Sequence, residues 1–135
     1  DTPVNMLIMH GTYDNNILWN GNVQTLRNGQ QFYATMPIAE TMEFWAQKME
    51  CFGESTREDV NIPTTTEETG LVIFRATDCK DDAELVLYAV LYGGHNWPGV
   101  DDGIPDEVAG QVNVDLNATQ VIWDFFKSHS LEDFN

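Results

Sequence analysis

The feature that most constrains this chain is the segment Val4-Asn5-Met6-Leu7-Ile8-Met9, which runs straight into His10-Gly11-Thr12. Successive side chains of a strand point to opposite faces, so a run that is apolar at consecutive positions must be covered on both sides. That environment is found inside a parallel sheet flanked by helices. The segment is therefore expected to be a central strand of an α/β sheet, with its polar exit at His10. A length of 135 residues, 42% of them hydrophobic, suits one domain with a real core.

The rest of the chain fits that frame. Residues 15 to 35 are rich in Asn, Gln and Gly and hold no sustained period, so they read as a long loop with some local structure. Thr35 is a candidate cap for a helix starting near Pro37 and ending near Cys51, whose apolar face is Ile38, Met42, Trp45, Ala46 and Met49. Residues 53 to 70 read as a polar connector. Residues 71 to 77 and 84 to 92 read as strands joined by an acidic turn, too short a link for anything but an antiparallel pair. The stretch from 95 to 115 is irregular. Asn117, three residues before Gln120, opens a last helix with Ala118, Val121, Ile122, Phe125 and Phe126 on its buried face. The order strand, helix, antiparallel strand pair, helix is α/β.

Charge narrows the function. Twenty-two acidic against six basic residues give a formal charge of −16, spread along the chain. Such a surface repels phosphates, which excludes an ordinary nucleic-acid binder and disfavours docking on anionic membrane lipid. The acidity fits either a high-salt adaptation or this segment's share of a larger protein's charge. No apolar run approaches the ~20 residues of a membrane helix, and no basic start followed by an apolar stretch marks a signal peptide. The start at Asp1, without methionine, leads us to expect a processed chain or one cut from something longer. Cys51 and Cys79 match no metal spacing such as C-x-x-C, and no metal is expected. Pairing and two separate buried thiols both remain open. A bond would contribute about 3.5 kcal/mol by loop-closure entropy and imply an oxidising compartment.

Two polar residues fall where α/β sheets place working groups, just beyond strand ends. Asp14 follows the first strand through His10-Gly11-Thr12-Tyr13, and His95 follows the last through Gly93-Gly94. With a right-handed crossover between them these strands are parallel and both loops leave one edge. Asp14 could then accept a hydrogen bond from the imidazole, fixing its tautomer for proton transfer. The plainer alternative is a turn aspartate and a histidine filling a tight bend.

The segments His10-Gly11-Thr12-Tyr13-Asp14, Trp45-x5-Cys51, Cys79, Gly93-Gly94-His95-Asn96-Trp97-Pro98-Gly99 and Ile122-Trp123-Asp124-Phe125-Phe126 occur in this order. Together they resemble the C-terminal part of the secreted esterase family that includes polyhydroxybutyrate depolymerases and feruloyl or acetyl xylan esterases. The resemblance implies that residues 1–135 are the C-terminal part of one α/β-hydrolase domain. It implies Asp14 as triad acid, His95 as general base and a Cys51–Cys79 disulfide. It also implies a secreted or periplasmic location, an ester substrate of plant cell-wall or polyester type, and no cofactor. Asn15 departs from the family's usual proline, which is expected to loosen the acid loop.

The larger departure concerns the nucleophile, a serine on a G-x-S-x-G elbow between strand and helix. Ser55, Ser128 and Ser130 lack that context. The resemblance therefore places the nucleophile in an N-terminal half absent from this chain. The sheet is then incomplete on its own, and an exposed edge calls for the complementary half or self-association. The competing expectation is a non-catalytic module that binds polysaccharide, polyester or protein.

Other features carry less. Asp101-Asp102-Gly103-Ile104-Pro105-Asp106-Glu107 invites calcium, but its sixth position is Asp106 where an EF-hand has glycine, so a solvated acidic loop is expected. Trp97 and Trp19 are candidates to contact substrate or to pack locally. His10 is expected to anchor the strand end, and His129 to lie on the surface near a helix terminus. Asn117-Ala118-Thr119 is a glycosylation sequon, informative only in a eukaryote.

Overall fold

Strand pairing sets the architecture, seen here in a computed structural model that describes residues 3–101 and 103–129. Ser130 and Asp102 lie outside the described residues. The elements are β1 (Met6–Gly11), β2 (Asn22–Thr25), β3 (Gln31–Thr35), α1 (Ile38–Lys48), β4 (Thr56–Asn61), β5 (Gly70–Ala76), β6 (Leu85–Leu91), α2 (Asp106–Ala109) and α3 (Ala118–Ser128). Four strands form a mixed sheet in the order β1-β6-β5-β4, while β2 and β3 make a separate hairpin. β1 runs parallel to β6; β5 is antiparallel to both of its neighbours, β6 and β4. The α/β class is thus observed, with more strands than periodicity announced.

The strand buried at the heart of the sheet is β6, not β1. Leu85, Val86, Leu87, Ala89 and Val90 are each at most 3% exposed, and alternation sorts them onto two faces. Val86 and Val90 join Leu71, Ile73 and Leu116 on the face covered by Val121 and Phe125 of α3. Leu87 and Ala89 meet Ile38 of α1 on the other, with Ile8, Trp19, Met42 and Phe74 around them. Helices on both faces explain why β1 is apolar from Met6 to Met9, since Leu7 and Met9 pack on one cluster and Ile8 on the other. The expectation of a central β1 is corrected: among the described residues β1 is an edge strand, paired with β6 alone and half-buried.

Three strands were hidden from sequence reading. Residues 15 to 35 contain the β2–β3 hairpin, closed by a turn in which Leu26 N–H donates to Gln30 (2.8 Å) and Gly29 N–H to Leu26 (2.9 Å), with Gly29 at φ 85°. Its apolar side chains Val23, Phe32 and Tyr33 stay exposed, so no buried stripe signals it. All six residues of β4 are exposed in what had read as a connector. With no face to bury it carries no alternation, and its charges blunt an open sheet edge; Glu58 meets Arg75 of β5 at 3.1 Å. Thr35 is not the cap of α1: it ends β3, and its hydroxyl donates to Asn22 Oδ1 at 2.6 Å. Pro37 takes the capping position without a side-chain bond.

At α3 the cap is as read, with Gln120 N–H donating to Asn117 Oδ1 at 3.0 Å. Phe126 is corrected from the buried face, since it is 63% exposed. Cys51 and Cys79 form a disulfide, which resolves the open alternative. The bond joins the end of α1 to the turn before β6, where Lys80 N–H also donates to Met49 O at 3.0 Å. His129 is more engaged than a surface residue, lying 3.2 Å from Glu84 and capping Phe125 O at 2.7 Å. No described helix is long and apolar enough to cross a membrane.

Candidate active site

Parallel register between β1 and β6 aligns His10 with Ala89 and Gly11 with Val90, so the loops after both strands leave the same sheet end. The two loops touch through backbone. Thr12 N–H donates to Val90 O and Tyr13 N–H to Gly93 O, both at 2.9 Å, and Tyr92 N–H donates to the Thr12 hydroxyl, also at 2.9 Å. A Cβ on Gly11 would lie 2.2 Å from Gly93 O, so only glycine permits this approach.

That contact delivers Asp14 to His95. Asp14 is 7% exposed, and its Oδ2 lies 2.7 Å from His95 Nδ1. Its Oδ1 accepts the backbone N–H groups of Asn16 and Ile17, each at 2.8 Å. Burial acts to raise the Asp14 pKa; the His95 bond and then the Ile17 and Asn16 amides outweigh it and hold the carboxyl below its usual range. An ionised carboxylate only accepts, so Nδ1 carries the ring proton. His95 keeps 52% of its side chain exposed, and no hydrogen bond joins its Nε2 to the described residues. The basic nitrogen of the neutral ring is therefore free for proton transfer.

A cleft of about 490 Å³ opens beside the pair. Met9, Ile17 and Ile122 supply apolar wall, and Trp97, half exposed with its indole N–H 3.1 Å from the Thr119 hydroxyl, stands next to His95. Trp19 lies elsewhere. It packs against the α1-side cluster, edge-on to His10 at 5.8 Å between centroids, and borders a second depression on Asp14 with Tyr13 and Leu18. His10 has its Nδ1 2.8 Å from Gly11 O and its Nε2 4.0 Å from Asp14 Oδ2, beside the pair but outside its short contact.

None of the described residues lining the cleft is Ser, Thr or Cys. Ser55 precedes β4, and the Ser128 hydroxyl donates to Phe125 O at 2.9 Å in the last turn of α3. Among the described residues no group of three or more His, Cys, Asp or Glu could hold a metal. Asp101 accepts Gly103 N–H at 3.0 Å within its own loop.

Sequence reading missed the short α2. Its signal was present: Pro105 before the first turn, Asp106 and Glu107 within it, and Gly110 just after, at φ 77°. Comparison of the chain with protein-family models, curated proteins and solved structures finds no match.

Proposed function

We propose that this chain is the part of a serine ester hydrolase that carries the triad acid and base, the C-terminal portion of an α/β-hydrolase domain. The observation that supports this best is the 2.7 Å contact between a buried Asp14 carboxylate and the Nδ1 of a half-exposed His95 at the rim of a cleft. In the complete protein His95 Nε2 takes the proton from a serine hydroxyl as its oxygen attacks the ester carbonyl. The imidazolium then returns that proton to the departing alcohol, and the same base activates water to release the acid. Asp14 orients the ring and stabilises its charged form. No metal or organic cofactor takes part.

The serine belongs to a segment outside this chain. The edge of β1 that is unpaired among the described residues suits a complementary N-terminal half, with self-association as its substitute. Ester substrates of plant cell-wall or polyester type and a secreted or periplasmic location complete the reading; the disulfide fits such a compartment. The test compares hydrolysis of a short-chain aryl ester by the complete protein and by its His95→Ala variant. We expect a loss of at least ~10³-fold, and equal rates would remove His95 from the mechanism.

A non-catalytic module binding polysaccharide, polyester or protein has one observation on its side, the lack of a nucleophile among the described cleft residues. The upstream coding region separates the two: a G-x-S-x-G elbow after a strand supports the hydrolase, and a stop codon or an unrelated domain supports the module.

A further inference from the structure

Four consecutive backbone carbonyls, at residues 108 to 111, accept hydrogen bonds from the two loops that carry Asp14 and His95. Asn15 Nδ2 donates to Val108 O at 3.3 Å, His95 N–H to Ala109 O at 2.5 Å, Asn96 Nδ2 to Gly110 O at 2.7 Å and Gly94 N–H to Gln111 O at 2.9 Å. The backbones are in direct contact here. A Cβ on Gly94 would fall 2.0 Å from Ala109 O, and one on Gly110 would fall 2.7 Å from the Gly94 Cα. We propose that residues 106–111 form a strap that positions the base against the acid, and that Asn96 and Asn15 are its positioning residues.

Asn96 carries a second observation. Its Oδ1 is buried without a hydrogen-bond partner, the one such side-chain atom among the described residues. An unpaired interior acceptor is costly, and turning the amide would only set Oδ1 against the Gly110 oxygen. The hydrogen bond that the side chain does make is through its donor, which ties the residue after His95 to the strap. Asn15 does the same on the acid side. It sits next to Asp14, so its side chain links the acid loop to the strap. The strap and the His95 loop hold no regular structure between β6 and α3 apart from the single turn of α2 and the Gly93–Gln111 bridge, so these bonds join the contacts between the two strand exits in fixing where the ring stands.

This inference rests on the hydrolase reading for its purpose but is tested without turnover. In this 135-residue chain, labelled with ¹⁵N-histidine, the ring nitrogens of His95 report the tautomer in alkaline solution, and exchange of the Nδ1 proton with solvent reports how often the pair opens. The parent is expected to show a protonated Nδ1 and slow exchange. Asn96→Ala and Asn96→Asp, which both remove the donor, should mix the tautomers and speed exchange about tenfold. Asn15→Ala, at an exposed position, should shift both readouts the same way by about threefold, and it decides the matter if the Asn96 variants fail to fold. Tautomer and exchange rate unchanged from the parent in the folded variants would overturn the strap. A complete enzyme that needs His95, together with unchanged ring signals in these variants, would sink the strap and leave the hydrolase. Altered ring signals together with equal hydrolysis by the complete protein and its His95→Ala variant would do the reverse.

Discussion

At the scale of the residue, the acid carries the clearest consequence for pH. A carboxyl whose folded pKa lies below its unfolded value, about 3.9 for aspartate, stabilises the fold above that value and stops doing so as pH falls through the folded pKa. Asp14 is shifted in that direction, since the His95 bond and two backbone amides outweigh the opposing effect of burial. Urea midpoints of the parent should therefore drop on acidification below the ordinary carboxylate range. Asp14→Asn should be less stable at neutral pH and show a flatter acid limb; an identical acid limb would mean that Asp14 is not the titrating group. Gly11→Ala is the sharper structural probe. With Gly93 O 2.2 Å from the added Cβ, the loops must separate, and the Asp14–His95 contact should be lost even where the sheet survives. A retained His95 Nδ1 proton signal in that variant would count against the role given to this approach.

Among the elements, β6 carries the greatest weight because it is covered on both faces and paired on both edges. Val86→Ala and Leu87→Ala each open a cavity in a different cluster and should lower unfolding free energy by roughly 1–4 kcal/mol in denaturant titrations. Matching truncations on β4 should cost little, because its residues are exposed. The legibility of each element follows the same division. α3 and the β5–β6 pair were readable because burial leaves a trace in the sequence, a capped 3.6-residue period in α3 and an unbroken apolar run in β6. The hairpin and β4 were not, since Gln24, Gln31 and Arg57 face water and nothing forces a pattern on them. Phe126 was misplaced for the opposite reason: it continues an apolar face of α3 that this chain leaves uncovered.

For the whole molecule the open side of β1 is the decisive feature. A parallel strand that is apolar on both faces and, among the described residues, unpaired on one edge is a template for another strand. The formal charge of −16 opposes collisions between copies, and salt screens that repulsion. Sedimentation of the purified chain should therefore show association that grows with ionic strength, or saturable binding of an N-terminal fragment added in trans. A species that stays monomeric and folds cooperatively across that range would contradict an incomplete sheet. The chain alone is expected to hydrolyse no aryl ester, and turnover would reveal a nucleophile that the cleft residues do not supply.

The sequence by itself determined the α/β class, the helix faces apart from Phe126, the antiparallel β5–β6 pair and the choice of Asp14 and His95 as the residues at strand exits, because burial and turn chemistry act over a few residues and leave a local trace. Only the tertiary structure decided that β1 is an edge, that the cysteines are joined, and that a carboxylate and an imidazole 81 positions apart stand at 2.7 Å. That last distance depends on parallel register, on a glycine contact between two backbones and on carbonyls of residues 108–111, none of which is encoded in the side chains of the pair itself.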